Sequence, residues 1–452
     1  RSCGKKRVHT ASAFTSATCT SYYGMSTDFC ESENKQSNLQ EKESYFLRER
    51  QVIDYNEGRK SKRICLDKTE ADSHHVLKDI DINIDGTSFS EKYNQMKDEL
   101  KWKLQCTGRV VEDVLYESIS NFTSEHLIHS FTIDVEDPII KGMFFPAELE
   151  EMDSTNVKED PELSTEFYKH LAKYYDKTST GEIREIIKEA DFGSSSFEIE
   201  TLTYSVYSLI RQYERIPSAF SLEHQEAWYN VNVWGPIIDR TYDDIANVDV
   251  IRGESSSIAS SERKNQNRTL DIRKEMGRRG DAIIRKCSSG VKLEFGGSEA
   301  GKHYEGQNST KWLRESGIKL PKMMRDMFVS LCNNTNWDME KMNKMETIGY
   351  IHGGSVLMIM TLDLPAGYIT RITKSELYYI PEDIGSFSEA IKLIAAMRVV
   401  RTMRLLHCNE KDDDVVNFLK NASSLKKRYR TNNQTNKIRK ILPSTEMTPK
   451  KR

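Results

Sequence analysis

A predicted β-hairpin at residues 277–302 constrains the fold of this chain more than any other stretch. Asp281 opens a short apolar run, and residues 291–295 alternate apolar with charged side chains. Between the two runs, residues 287–290 read Cys-Ser-Ser-Gly, and two such runs around a glycine-containing loop are typical of a hairpin. Because side chains alternate between the faces of a strand, Asp281 and a glutamate near the end of the second strand can lie close together.

Three residues of this hairpin have the chemistry of a hydrolytic metal site. Asp281 and Glu299 are the candidate metal ligands, because carboxylate oxygens are the ligands that Mg²⁺ and Mn²⁺ prefer. Lys302 is the candidate catalytic cation, which would orient the attacking water or neutralise developing negative charge. Acids and lysines are also ordinary on a solvated hairpin, so the pattern alone leaves both interpretations open.

The order of Asp281, a turn, Glu299 and Lys302, preceded by a helix that carries an acid, resembles the PD-(D/E)xK (restriction-endonuclease-like) nuclease superfamily. Residues 221–381 also resemble a large set of uncharacterised fungal proteins. The shared blocks are Ser-Leu-Glu-His-Gln-Glu at 221–226, Val-Asn-Val-Trp-Gly-Pro at 231–236, Arg-Arg-Gly-Asp at 278–281 and Glu-Phe-Gly-Gly-Ser-Glu-Ala-Gly-Lys at 294–302. The nuclease resemblance implies an α+β, three-layer α/β core with a mixed sheet flanked by helices, and metal-dependent hydrolysis of DNA.

The helix before the hairpin supplies a third candidate ligand. We expect this helix to begin with Ser221 as its N-cap and to be ended or kinked by Pro236. The resemblance assigns Glu226 to the metal site, because the corresponding helix of the superfamily often carries an acid that reaches the metal. A surface glutamate beside His224 fits the same pattern equally well.

The spacing of the hairpin acids departs from the superfamily pattern. One residue too many separates Glu299 from Lys302, and the alternative acid, Glu294, has Gly296 where the lysine should stand. Nearby glycines permit a β-bulge that would restore the geometry. Without it the site is degenerate, and the chain would be a catalytically inactive member of the fold that binds nucleic acid or protein.

Basic residues around the hairpin are candidates for contact with phosphates. They are Arg263, Lys264, Arg278 and Arg279 before it and Lys311 after it. Local positive charge of this kind suits a nucleic-acid backbone. Ordinary solvation of a charged loop explains the same residues, and the net charge of −3 provides no global attraction to a polyanion.

Four regions are expected along the chain. They are a disordered N-terminal region (1–76), a mainly helical lead-in (77–200), a nuclease-like α/β core (201–410) and a basic C-terminal tail (411–452). The lead-in either covers the sheet or forms a separate lobe. Within the core we expect strands at 348–352, 356–362 and 368–373, with an ion pair between Asp363 and Arg371 across the last turn.

Composition favours an intracellular protein. The eight cysteines form no CxxC pair, which is typical of reduced thiols rather than of a zinc ribbon or a disulfide framework. The basic cluster at residues 58–63 is typical of nuclear import, although polar linkers produce such clusters by chance. No apolar run approaches the about 20 residues of a membrane span, so no membrane partner is expected. His352, beside Gly353, is expected to be structural rather than a general base.

Overall fold

The computed structural model describes residues 89–408, apart from 120–121, 123–124, 159–161, 191–192, 194, 267, 270 and 289–290. The expectations for residues 1–76 and 411–452, including the basic cluster at 58–63, lie outside these residues.

Seven strands form one mixed sheet. They are β1 (Thr132–Asp134), β2 (Val248–Ser256), β3 (Arg279–Ser288), β4 (Val291–Gly301), β5 (Thr347–Gly353), β6 (Val356–Ala366) and β7 (Ile369–Tyr379). Their order in the sheet is β1-β7-β6-β5-β4-β3-β2, with parallel pairing of β1 with β7 and of β4 with β5. The predicted mixed sheet with flanking helices is therefore confirmed.

Fourteen α-helices are present in the described residues. They are α1 (Phe89–Asn94), α2 (Val111–Ser118), α3 (Pro138–Met143), α4 (Pro146–Ser154), α5 (Thr165–Tyr175), α6 (Thr180–Lys188), α7 (Phe197–Tyr213), α8 (Glu226–Tyr229), α9 (Gly235–Ile238), α10 (Ile258–Lys264), α11 (Thr310–Arg314), α12 (Leu320–Asn334), α13 (Met339–Lys344) and α14 (Ser388–Cys408).

The two faces of the sheet are covered by different helices. On one face, Ile283 of β3 packs with the methionines of α12. On the other face, its neighbour Ile284 packs in a core that includes residues of α5, α7, α9 and α14. Consecutive side chains of one strand thus enter two separate cores, as the alternation of a strand buried on both faces requires.

The lead-in region is part of the same sheet rather than a separate lobe. Its strand β1 pairs with β7, with Thr132 opposite Thr370. A third core, built from α1 to α4 and β1, packs against Ile369. The boundary that we expected at residue 201 falls inside α7, so the helical lead-in and the sheet share their elements.

The strands of the C-terminal half lie where the sequence pattern places them, and each is longer than expected by a few residues. The expected pair between Asp363 and Arg371 is present, with Arg371 Nη2 donating to Asp363 Oδ2 at 2.8 Å across the two neighbouring strands.

The helical segments before and after the hairpin each contain a π-turn followed by a proline. The first, Asn230–Trp234, joins α8 to α9, and Pro236 follows it. The second, Glu315–Lys319, joins α11 to α12, and Pro321 follows it. A proline lacks the N–H of a regular helix and clashes with the carbonyl four residues earlier, and the wider π-turn relieves that clash. The helical run therefore continues past Pro236 instead of ending there.

The helical segment before the hairpin also begins at a different residue from the one expected. Ser221 closes a short 3₁₀ turn, Ala219–Ser221, and is not the N-cap of a helix. The helix begins at Glu226 itself.

Candidate active site

Asp281 and Glu299 lie on the same face of the sheet, on adjacent strands. Ile283 of β3 is paired with Gly297 of β4, and residues two positions apart share a face. Both acids therefore lie on the α12 side, where a Cβ on Gly297 would be only 2.6 Å from Met323 Cε. The predicted hairpin thus places the two candidate ligands side by side at the ends of β3 and β4.

The carboxylate of Asp281 is fixed by the backbone of the neighbouring strand. Asp281 Oδ2 accepts a hydrogen bond from the Ala300 N–H at 2.6 Å. Burial raises the pKa of Asp281, while this hydrogen bond and the ammonium of Lys319 act in the opposite direction. The bond leaves the other carboxylate oxygen available for a ligand.

Glu299 is the most buried acid of the site, with 1% of its surface exposed. Its Oε2 forms an ion pair with Lys319, whereas its Oε1 is buried and has no hydrogen-bond partner among the described residues. Burial raises the pKa of Glu299 to about 8, although Lys319 opposes the shift. A buried carboxylate oxygen without a donor is unfavourable, so this atom is suited to a ligand that the protein itself does not supply.

Glu226 and Glu315 complete what we call the acid cluster, which consists of Glu226, Asp281, Glu299 and Glu315. Burial and the charge of Asp281 raise the pKa of Glu226. Burial raises the pKa of Glu315 to about 7, and the charges of Asp281 and Glu226 add to that shift. The four carboxylates therefore act on one another electrostatically, although they come from a helix, two strands and a π-turn.

Two lysines face the acid cluster. Burial works to lower the pKa of Lys319, but the neighbouring carboxylates, Glu299 foremost, raise it. Lys311 Nζ lies 3.9 Å from Glu226 Oε2 and 3.9 Å from Glu315 Oε1, and it donates to the Ala300 carbonyl at 2.8 Å. The site thus combines carboxylates with fixed ammonium groups.

Lys302, the lysine expected at the site, does not join it. Its Nζ lies 3.7 Å from Glu223 Oε2, at the exposed surface. Glu299 and Gly301 share a face of β4, so the extra residue noted in the sequence points Lys302 to the opposite side. A β-bulge between Glu299 and Lys302 would have corrected this spacing. The irregularity in the β3–β4 pairing lies earlier in β4, where the paired residue changes from Gly296 to Glu294.

Lys319 and Glu315 were missed by the reasoning from sequence. Both belong to the π-turn before α12. The signal that could have found them is their spacing, because residues four apart lie on one side of a helix. That spacing is common in helices and carries no information about the distant hairpin.

The alternative acid, Glu294, has a structural role. Its two oxygens accept from Ser257 Oγ at 2.7 Å, Ile258 N–H at 2.9 Å and Ala259 N–H at 3.0 Å, and Arg285 Nη2 donates at 2.7 Å. Glu294 therefore caps the N-terminus of α10 and forms an ion pair with the partly buried Arg285. No oxygen is left for a metal, so the assignment of Glu294 to the metal site does not fit the structure.

Replacing Glu294 with glutamine is expected to lower the free energy of unfolding by about 1–3 kcal/mol, because an amide nitrogen would face backbone donors. Urea unfolding measures this loss, and Glu305→Gln, at an exposed position, is the matched control. The folded Glu294→Gln protein should keep any DNA-cleaving activity. Loss of activity at unchanged stability would contradict the structural role.

Two of the expected phosphate contacts are buried instead. Arg263 Nε lies 2.9 Å from Asp326 Oδ1, and Arg278 Nη1 lies 2.6 Å from Asp326 Oδ2, with both arginine side chains 8% exposed. These ion pairs join α10 and the residue before β3 to α12, so neither guanidinium is exposed for contact with phosphates. Lys264 lies 3.9 Å from Glu275 and is partly buried. Arg279 and Lys311 are exposed and remain candidates.

His352 lies on the opposite face of the sheet from Asp281 and Glu299. It is paired with Ala300 on β4, and its Nε2 lies 3.0 Å from Ser298 Oγ. Burial lowers the pKa of His352 to about 3, so the ring is neutral at physiological pH. This environment agrees with a structural histidine.

Within residues 89–408, outside the gaps given above, no group of three or more His, Cys, Asp or Glu side chains has the arrangement of a preformed metal site. Mg²⁺ is commonly held by only one or two carboxylates together with water and substrate phosphate. Asp281 and Glu299, with the unpartnered oxygen of Glu299, are the pair that could hold such an ion.

No helix in the described part of the chain is long and apolar enough to cross a membrane. Comparison of the chain with protein-family models, curated proteins and solved structures finds no match.

Proposed function

We propose that this chain is a metal-dependent nuclease that hydrolyses phosphodiester bonds in DNA, with Mg²⁺ or Mn²⁺ held by Asp281 and Glu299. The observation that carries the proposal is the buried, unpartnered Oε1 of Glu299, on the same face as Asp281 and next to the ammonium of Lys319. The resemblance of the hairpin to the PD-(D/E)xK superfamily supports the same chemistry.

The residues fit a hard divalent cation, because the donors at hand are carboxylate oxygens without a competing thiol or imidazole. Glu226 is the third candidate ligand, since its Oε2 lies 3.9 Å from Lys311 Nζ, which also donates to the carbonyl of Ala300 beside Glu299. When bound, the ion supplies Lewis-acid polarisation of the phosphate and activation of water.

The protein's own groups do the rest of the chemistry. The Ala300 N–H holds Asp281 in place, so this carboxylate needs little reorganisation. Lys319 places a positive charge next to Glu299, where it stabilises negative charge developing on the phosphate. Lys311 is exposed beside Glu226 and offers a cation to the phosphate on the solvent side.

The proposal is tested by nicking of supercoiled plasmid. We expect the wild-type protein to produce nicked and linear DNA with Mg²⁺ or Mn²⁺ and none with EDTA. The doubly substituted protein Asp281→Asn/Glu299→Gln, purified identically, should be inactive while its thermal melting shows a folded chain. Equal nicking by both proteins, or none by a folded wild type with either metal, would refute the nuclease.

A second candidate is a catalytically inactive member of the fold that binds DNA or protein. It is favoured by the ion pair with Lys319, which already neutralises Glu299, and by the displacement of Lys302 from the site. This candidate requires the absence of cleavage in any metal, and its DNA-binding form also requires binding of DNA in EDTA. For both candidates we infer an intracellular location, in the nucleus if residues 58–63 act as an import signal.

A further inference from the structure

Strand β2 has a β-bulge directly opposite Asp281. The register of the β2–β3 pairing shifts between Arg252 and Ser255. Gly253 and Glu254 therefore lie opposite the single residue Asp281. Both have a positive φ, 91° at Gly253 and 56° at Glu254, a conformation that suits glycine but is unfavourable for a residue with a Cβ. A β-bulge redirects a side chain out of the regular alternation, so the strained residue here is placed by the bulge beside Asp281.

The carboxylate of Glu254 lies near two candidate metal ligands. Burial raises the pKa of Asp281 and the pKa of Glu226, and in both cases the charge of Glu254 adds to the shift. Glu254 is exposed and forms no hydrogen bond or ion pair with a described residue. The neighbouring Arg252 is instead paired with Asp239, at 2.8 Å. The bulge thus brings a negative charge toward like charges without a contact in the described chain that offsets it.

The surroundings of Glu254 carry a surplus of negative charge. The acid cluster has four carboxylates, and Lys311 and Lys319 are the ammonium groups that act on it. Arg279, two residues before Asp281, is exposed and is the nearest further cation along β3. When all these groups are ionised, five carboxylates including Glu254 face three cations, so the region favours an added cation.

A second observation at the same place also indicates a cation. Glu299 is 1% exposed, and its Oε1 is buried without a hydrogen-bond partner among the described residues. A buried carboxylate oxygen without a donor and an exposed carboxylate without a counter-charge therefore flank Asp281 on its two neighbouring strands, β4 and β2. One divalent ion would offset both.

We propose that Glu254 is a further residue of the metal site, which accepts hydrogen bonds from the water ligands of the ion held by Asp281 and Glu299. This inference rests on the proposed function, because it concerns the same site. Mg²⁺ usually keeps several waters in proteins, and groups that bind the ligands of a metal contribute to its affinity without touching it. Contact through water agrees with the absence of a preformed group of three ligands in the described part of the chain.

The test is binding of Mn²⁺ to the full chain without DNA, measured by the loss of the EPR signal of free Mn²⁺. We expect Glu254→Gln to raise the Kd for Mn²⁺ by about 10-fold or more, the effect of removing an outer partner of a metal site. Glu340→Gln, which removes one exposed acid on α13, is the matched control and should keep the wild-type Kd.

Glu254→Gly separates a functional role of the side chain from a structural role of the bulge. Glycine accepts the positive φ, so the melting temperature in EDTA should rise by about 1–3 °C, while the Kd for Mn²⁺ should rise as in Glu254→Gln. Asn336→Gly is the backbone control, because Asn336 has a φ of 53° and lies beyond the end of α12. It should leave the Kd unchanged.

Three results would overturn the role of Glu254. They are an unchanged Kd in Glu254→Gln and Glu254→Gly, an equal loss of affinity in Glu340→Gln, and no Mn²⁺ binding by the wild type. The plasmid assay decides the nuclease separately. Weaker Mn²⁺ binding by Glu254→Gln without any cleavage by the wild type refutes the nuclease alone, and cleavage by the wild type with an unchanged Kd in Glu254→Gln refutes the role of Glu254 alone.

Discussion

Lys319→Gln is expected to lower the rate of Mg²⁺-dependent DNA cleavage by about 10²–10³-fold, the effect of removing one preorganised charge or donor from an active site. Lys302→Gln is expected to leave the rate nearly unchanged. The two variants should differ because Lys319 forms an ion pair with the buried Glu299, whereas Lys302 lies at the surface beside Glu223. The sequence motif, in which Lys302 is the catalytic lysine, predicts instead a large loss of rate for Lys302→Gln and a small one for Lys319→Gln.

Single-turnover cleavage of a labelled duplex at saturating protein separates this effect from a change in affinity. Lys319→Arg keeps the charge and should retain more activity than Lys319→Gln. Thermal melting is needed beside the kinetics, since removal of Lys319 leaves Glu299 buried without its counter-charge. If Lys302→Gln were the inactive protein and Lys319→Gln the active one, the site would have been assigned to the wrong lysine.

Asp326→Ala is expected to lower the free energy of unfolding by about 3–5 kcal/mol, because it leaves two buried arginines without their carboxylate. Asp326 on α12 receives Arg263, Arg278 and the hydroxyl of Ser260, which donates at 2.8 Å. This is a large fraction of the about 5–15 kcal/mol that stabilises a typical domain.

Urea unfolding of Asp326→Ala and of a protein with all three charges replaced, Arg263→Met/Arg278→Met/Asp326→Leu, checks this prediction. Replacing a complete buried ion cluster with apolar residues is often neutral or stabilising. The triple variant should therefore be more stable than Asp326→Ala alone. If Asp326→Ala lowered the free energy of unfolding by less than about 1 kcal/mol, the prediction would be wrong, because the two arginines would then behave as solvated groups.

The sequence predicts the hairpin and the position of Asp281 beside Glu299, because both follow from the turn residues and the side-chain alternation of two neighbouring strands. The Cys-Ser-Ser-Gly sequence at 287–290 and the alternation at 291–295 predict two neighbouring strands. The two-residue period of a strand places both acids on one face. The same rule explains why Lys302 is displaced. Residues an odd number of positions apart along a strand point to opposite faces, and Lys302 is three positions after Glu299.

The ion pairs of Lys319, Arg263 and Arg278 could not be predicted from the sequence, because their partners are distant in it. Lys319 meets Glu299 from a π-turn that no periodicity distinguishes from an α-helix. Arg263 and Arg278 resemble ordinary loop cations until Asp326, 48 residues beyond Arg278, is seen to receive them. The sequence around a charged residue does not indicate whether its side chain will be solvated or will form an ion pair in the interior.

The π-turn before α12 holds one more residue than a regular turn of α-helix, and this decides which deletions the segment tolerates. Deleting one residue within Glu315–Lys319 would close the widened turn to a regular α-helix and would leave α11 nearly in phase with α12. Deleting one residue within the regular helix α12 would instead rotate everything before the deletion by about 100° around the helix axis. Trp312, 7% exposed, would then leave its core, and Lys311 would leave the Ala300 carbonyl. A one-residue deletion should thus be tolerated far better in the π-turn than in the helix that follows it.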